Sequence, residues 1–289
     1  LILGRIPANP CIAAAKLGCQ SAFDKNTPNC TKLSAWQPDR IFRPIRYHKL
    51  MPQFPPGQTL LIDADDTLWE NNVYFERAIA AFISFLDHRE HSPAQVRAAL
   101  NEVERETILT HGYGLPSFTR SLLLCFERLS PAPMTDHTRE RILGFCRAIA
   151  EQEIELLPGV ADALAELSAR HRLILMTKGN HAEQADKLSR SGVAGYFSAV
   201  EIVAEKDPAT YRDVIRRHEA TRAGSAPHSY WMIGNSPKSD INPALAAGLN
   251  AVHLFHKDTW VLEHAALDPA PAGQQLIELD SFAKLCAIF

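Results

Sequence analysis

Thr59-Leu60-Leu61-Ile62-Asp63-Ala64-Asp65-Asp66-Thr67-Leu68 is the stretch on which the fold turns. Four apolar or β-branched residues run straight into a cluster of carboxylates. A short apolar run bounded by polar residues reads as a strand buried on both faces, as in a parallel sheet. Parallel sheets build their sites at the carboxyl ends of the strands, where these carboxylates fall. An extended Asp-x-Asp would send Asp63 and Asp65 to one face. Two like charges that close repel unless a cation or proton sits between them. The pattern predicts a divalent cation with oxygen ligands; magnesium is the common choice where phosphate is also bound.

Working outward, residues 70–157 read as helices with no clear strand. Phe75, Ile79, Phe82, Ile83 and Leu86 recur at helical spacing, as do Val96, Leu100 and Val103 after the Ser92-Pro93 start signal. Phe118, Leu122, Cys125, Phe126 and Leu129 make a third stripe, and Ile142, Cys146 and Ile149 a fourth. After Pro158-Gly159 the rhythm becomes strand–helix alternation. Leu173–Met176, Val200–Val203, Tyr230–Ile233, Ala251–Leu254 and Leu276–Leu279 read as strands. Such alternation implies a parallel sheet with right-handed crossovers. Polar residues stand immediately after the strand ends: Thr177 and Lys178, Lys206, and Asn235 to Asp240. Singly, each has a plain structural use as helix cap, turn or surface charge. Their joint occurrence at successive strand ends points to a site.

In that order the residues resemble the four motifs of the haloacid dehalogenase (HAD) superfamily. Asp63-Ala64-Asp65-Asp66-Thr67 is similar to its Asp-x-Asp-x-Thr/Val motif. Thr177 after an apolar strand resembles the second motif, Lys206 in Glu205-Lys206-Asp207-Pro208 the third, and Gly234-Asn235-Ser236-Pro237-Lys238-Ser239-Asp240 the fourth. The resemblance spans roughly residues 58–285. It implies an α/β fold: a Rossmann-like, three-layer parallel-sheet core (51–69 and 158–289) with an inserted α-helical cap (70–157). It also implies an aspartyl-phosphate mechanism with Mg2+. Asp63 would attack phosphorus, needing no deprotonation at neutral pH. Asp65 would protonate the leaving alkoxide, then act as base toward water, and its carbonyl would meet the metal. Thr177 would bond a phosphoryl oxygen and Lys206 would neutralise charge on the transferring group. Lys178 would also reach phosphate. Asp63, Asp65, Asn235 and Asp240 would form the metal shell.

The family usually carries Asp at the position of Asn235. Either Asn235 is a neutral ligand, since a carboxamide oxygen still ligates a hard cation but brings no charge, or Asp240 and water take over; weaker metal binding is expected. Asp65 favours phosphate-ester hydrolysis, because dehalogenase members lack an acid there. A small phosphorylated metabolite is therefore the expected substrate. The alternatives are a phosphomutase or phosphotransferase of the same superfamily, and a noncatalytic phosphate-metabolite-binding module. The loop His111–Gly114 is a candidate substrate contact, and His256–Trp260 a candidate border of the site.

Composition narrows the class further. The chain has 289 residues, 46% hydrophobic and 22% charged, with a net charge of -3. That is enough apolar sequence for a packed core and gives no support to nucleic-acid binding through a basic surface. No uncharged run of 18 apolar residues exists, so no membrane partner is expected. Six scattered cysteines do not read as a disulfide scaffold and fit a reducing compartment. Residues 1–50 carry eight Lys+Arg against two Asp+Glu, and are rich in proline. They are expected to be a non-core extension, disordered, targeting or misassigned. The expected compartment is the cytoplasm, an organellar leader in that extension being the alternative. Nothing in the sequence fixes an oligomeric state.

Overall fold

The computed structural model describes residues 53–86, 90–220 and 229–289. The expectations for residues 1–50, including Cys11, Cys19 and Cys30, lie outside the described residues.

The core is one sheet of six parallel strands: β1 (Thr59–Ile62), β2 (Arg172–Lys178), β3 (Ala199–Val203), β4 (Tyr230–Gly234), β5 (Asn250–Leu254) and β6 (Leu276–Leu279). Their spatial order is β3-β2-β1-β4-β5-β6. This order places β1 centrally, and the direction of winding reverses between β1 and β4, where parallel sheets open a crevice. The period-two alternation of a strand divides the apolar residues between two layers. Leu60, Ile62, Leu173, Leu175, Trp231 and Ile233 pack with helix α5 (Val160–Ser168) and the C-terminal segment ending in Phe289. Leu61, Ile174, Met176 and Met232 face the other way, onto Tyr211 and Val214 of α7 (Pro208–Ala220) and Ala244 of α8 (Asn242–Ala247). Each fully buried aliphatic side chain contributes about 1.5–3 kcal/mol, so the strands are anchored on both faces.

Four helices stand between β1 and α5: α1 (Asn72–Phe85), α2 (Pro93–His111), α3 (Leu115–Leu129) and α4 (Asp136–Ala150). The sequence stripes meet in a cluster of their own, including Ile79, Phe82, Leu100, Leu122, Cys125 and Ile142. Ser92 begins α2 with a reciprocal cap: its hydroxyl accepts from the Gln95 amide, and the Gln95 side chain accepts from the Ser92 amide. The two chain crossings into this insertion run side by side. Glu70 N donates to Glu155 O at 3.0 Å, and Leu157 N to Leu68 O at 2.9 Å. Asp66 fastens the same junction. It sits at φ 59°, the left-handed region. Its carboxylate accepts from Asn71 N and Asn72 N at 2.9 and 3.0 Å, ahead of α1. Among the described residues, no helix is long and apolar enough to cross a membrane.

Candidate functional site

The strand ends converge on a cavity of about 170 Å3 between the sheet and the helical insertion. Asp63, Asp65, Thr177, Lys178, Lys206, Asn235 and Asp240 all line it. Its floor is an ion triplet. Lys206 Nζ lies 2.5 Å from Asp63 Oδ1 and 2.7 Å from Asp240 Oδ1, and all three side chains are buried. Burial and the Asp240 charge push the Asp63 carboxyl up to about 7, against the opposing pull of Lys206. Burial also opposes the Lys206 charge, but Asp240 and Asp63 outweigh it and raise its pKa. One ammonium between two carboxylates leaves a buried deficit of positive charge, which a bound cation would offset.

The local chain explains the arrangement. Asp63 N continues the ladder by donating to Ile233 O at 2.9 Å. Thr67, four residues on, returns its hydroxyl to Asp63 Oδ2 at 3.0 Å. Asp240 sits in a wide, π-type turn over Pro237–Ile241, and its Oδ2 accepts from Ser236 N at 2.9 Å. Gly234 leaves the room for this: a Cβ there would collide with the Asp240 carboxylate.

Asp65 behaves differently from Asp63. The strand ends at Ile62 and the chain turns from Asp66, and the two carboxylates do not share one partner. Lys187 Nζ reaches Asp65 at 2.7 and 2.8 Å, Gln184 Nε2 at 2.9 Å and Trp69 Nε1 at 2.8 Å. Burial works against the charged form, but Lys187 and these donors hold the Asp65 carboxyl below its usual range. Where the sequence suggested one cation between the pair, each aspartate has a lysine of its own.

Thr177 is buried near the end of β2. Lys178, the last residue of that strand, is bonded within the protein. Its Nζ is 2.7 Å from Glu263 Oε1, 2.6 Å from Ser239 Oγ and 4.3 Å from the Tyr113 ring centroid. Tyr113 OH donates to Glu205 Oε2 at 2.7 Å. The loops singled out by sequence therefore do reach the site: Tyr113 over Lys178, and Trp260 against Tyr113 at 6.4 Å between rings.

The metal ligands named from sequence divide in two. Asn235 Nδ2 donates to Thr259 Oγ1 at 3.1 Å, which turns Oδ1 toward Thr67, whose hydroxyl is 3.4 Å away. Thr67 thus touches both Asp63 and Asn235, and their oxygens form a hard-donor set that fits magnesium. Asp240 has a second use beside the expected one. Both its oxygens are engaged, by Lys206 and by Ser236 N, so its observed work is to hold Lys206. The Asp65 side chain is likewise committed to Lys187. Beside the site, Asp66, Glu70 and His256 bring ligand-type atoms within 4.8 Å of one another. Burial lowers the pKa of that histidine.

Sequence reading passed over Lys187, Gln184 and Glu263. The first two share a face of α6 (His181–Arg190), three residues apart just after β2, which was a usable signal. Glu263 arrives from a loop with no local pattern.

A winding order that reverses beside β1, with charged residues at the strand ends facing a cavity, defines an open α/β sheet with its site at the carboxyl ends of the strands. The haloacid dehalogenase-like hydrolase family model matches residues 58–248, and the chain belongs to that family. A haloacid dehalogenase-like family hydrolase from Xanthomonas campestris superposes with a TM-score of 0.63 at 30% identity, covering 81% of this chain and 95% of that one. The HAD-hydrolase YfnB of Bacillus subtilis, solved with magnesium, shares the fold at 18% identity and TM-score 0.53, over 80% of this chain and 97% of its own. N-acylneuraminate-9-phosphatase of Homo sapiens is 29% identical over 133 residues, 46% of this chain and 54% of that protein. Its Rattus norvegicus counterpart is 29% identical over 110 residues, 38% and 44% respectively. The chain spans about half the length of these curated relatives.

Proposed function

We propose that the protein hydrolyses phosphate monoesters of a small metabolite through a phosphorylated Asp63, with magnesium as cofactor. The buried Asp63–Lys206–Asp240 triplet on the floor of the cavity carries this reading. A carboxylate fixed by one ammonium and one hydroxyl, with a lysine beside it to offset negative charge, is suited to attack on phosphorus. The phosphatase names of the curated relatives support a phosphoryl substrate.

Asp63 attacks phosphorus, and the bond from phosphorus to the ester oxygen breaks. The carboxyl proton of Asp65 passes to the leaving alkoxide. For that, Asp65 must exchange Lys187 for the substrate oxygen, since the lysine favours its ionised form. Asp65 then takes a proton from the water that attacks the aspartyl phosphate, which releases phosphate and restores both residues. Lys206 offsets charge on the transferring group, and the Thr177 hydroxyl donates to a phosphoryl oxygen. Lys178 braces the site through Glu263 and Ser239 and places positive charge near the phosphate. Magnesium, held by Asp63, Asn235 and the Asp65 carbonyl, would screen the carboxylate from the phosphate dianion.

The test is hydrolysis of p-nitrophenyl phosphate, first with magnesium and then with a chelator, followed by borohydride quenching under turnover. Turnover that is lost on chelation and restored by magnesium is expected, with residue 63 recovered as homoserine by mass spectrometry. Turnover without any reducible acyl phosphate would sink the covalent mechanism.

A further inference from the structure

The roof of the same cavity holds polar groups that the reaction does not use. Glu104 on α2 is 5% exposed and Ser117 on α3 is 6% exposed, and both line the cavity that contains Asp63. Glu104 Oε2 and Ser117 Oγ have no hydrogen-bond partner among the described residues. The neighbouring serine and threonine differ: Ser121 Oγ donates to Ser117 O at 3.0 Å, and Thr107 Oγ1 to Val103 O at 2.8 Å. Nor does Arg97, whose charge bears on Glu104, give it a hydrogen bond. Arg97 spends its guanidinium on Glu76, at 2.6 and 2.8 Å, and on Asn101.

An orphaned buried carboxyl is costly, and native proteins carry few of them. A ligand that supplied a donor would remove the cost. Around the two groups the wall is apolar, made by Phe75, Ile79, Ile108 and Phe118. Every lysine in the lining is already paired with a carboxylate: Lys178 with Glu263, Lys187 with Asp65, Lys206 with Asp63 and Asp240. A second anion on the substrate would meet Glu104 with no cation to receive it.

On the phosphomonoesterase reading above, we propose that Glu104 and Ser117 form the specificity subsite for the leaving group, and that the substrate presents a hydrogen-bond donor there, hydroxyl or amino, and not a carboxylate. The substrate class is then a neutral or amino-bearing polyol phosphate. This separates the chain from relatives whose name specifies N-acylneuraminate, an anionic sugar.

Three matched pyranose substrates, assayed at pH 8 where Glu104 is ionised, decide it: glucose 1-phosphate, glucosamine 1-phosphate and glucuronic acid 1-phosphate, with p-nitrophenyl phosphate as the donor-free reference. Wild-type kcat/KM should be lowest for the glucuronic acid ester among the three sugars. In Glu104→Leu the ratio of kcat/KM for glucosamine 1-phosphate to that for p-nitrophenyl phosphate should fall about 10- to 100-fold, mainly through KM. Glu104→Gln, which keeps an acceptor, should retain the glucose ester better than the glucosamine ester. Ser117→Ala provides a milder variant should Glu104→Leu fold poorly, and the same ratio should fall several-fold. A preference for the glucuronic acid ester, or an unchanged ratio in both Glu104→Leu and Ser117→Ala, overturns the subsite. Absence of turnover on every substrate, p-nitrophenyl phosphate included, overturns the phosphomonoesterase reading instead. Calorimetric titration of the wild-type protein with the three sugar phosphates then still decides the subsite: tightest binding of the carboxylate overturns it, and weakest binding of the carboxylate sustains it.

Discussion

The two ends of the cavity are built in opposite ways. At the sheet end each lysine is held in an ion pair: Lys206 by Asp63 and Asp240, Lys187 by Asp65, Lys178 by Glu263. At the helical end a carboxyl oxygen and a hydroxyl are buried with no partner among the described residues. A site that performs one reaction gains from groups fixed before substrate arrives, because little reorganisation is then needed as charge develops, the exchange of Lys187 at Asp65 being the exception. A site that selects among substrates gains from groups whose cost only the right partner removes, since discrimination comes from what a wrong ligand leaves unpaired. Substitutions at the sheet end should therefore act mainly on kcat, and those at the helical end on KM and on the ranking of substrates.

The largest effect belongs to the nucleophile. Asp63→Asn keeps the shape of the side chain but cannot form the acyl phosphate, so the rate should fall by roughly three orders of magnitude or more. A thermal melt would show the fold intact. Retention of a tenth of the wild-type rate would remove Asp63 from that role. Next in size is Gly234→Ala. The added methyl must displace the Asp240 carboxylate, which is tied to both Lys206 and Ser236 N. A loss of kcat of about 10- to 100-fold is expected, with a stability loss of about 1–3 kcal/mol. Normal kcat in Gly234→Ala would mean that the triplet tolerates a moved Asp240.

A magnesium titration separates the two residues of the fourth motif. Asn235→Asp adds a charged ligand beside Asp63 and should lower the half-saturating magnesium concentration, by about tenfold for ~1.4 kcal/mol of added attraction. Asp240→Asn should lower kcat by weakening its hold on Lys206 while moving the magnesium midpoint far less. If Asp240→Asn shifts the midpoint as far as Asn235→Asp does, Asp240 belongs to the metal shell after all.

The same contrast governs what could be read in advance. Fold and sheet-end residues were legible because a parallel strand is a short apolar run and its site residue must follow at once. Asp63, Thr177 and Asn235 stand one or two residues beyond Ile62, Met176 and Ile233. The helical stripes were legible too, and Phe82, Leu100, Leu122 and Ile142 meet in one cluster. Partners brought from elsewhere in the chain were not. Lys187 meets Asp65 across 122 residues, and Glu263 meets Lys178 across 85. The shared α6 face of Gln184 and Lys187 marked those two without naming Asp65 as their partner, and the Glu263 pairing leaves no trace in local periodicity. The motif placed Asp240 at the site, but not the wide turn that brings its carboxylate to Lys206 and a backbone amide. Glu104 escaped because a carboxylate on a helix reads as solvent-facing. It lies one residue after the core position Val103 and is buried only in the folded cluster of helices.

The smallest predicted effect tests Glu104 with no ligand present. Burial, with the Glu76 charge adding to it, pushes the Glu104 carboxyl up to about 7 from an ordinary value of 4.5, while Arg97 and Arg105 pull the other way. Below pH 4.5 the group is protonated in the folded and unfolded chains alike, so it contributes no pH dependence there. Between 4.5 and about 7 the unfolded chain releases this proton and the folded chain keeps it. The unfolded state then binds fewer protons, and stability falls as pH rises. Above about 7 both forms are ionised and the loss is complete, on the order of 1–3 kcal/mol. Glu104→Gln removes the titration, since its amide is neutral throughout. Its thermal midpoint relative to wild type should therefore climb by a few degrees between pH 4.5 and 7.5, and level off beyond. Any fixed cost of placing an amide in the roof cancels in this comparison, because it is the same at every pH. Parallel curves for the two proteins across that range would mean that Glu104 is ionised and satisfied in the empty cavity, and the contrast between the two ends would fail.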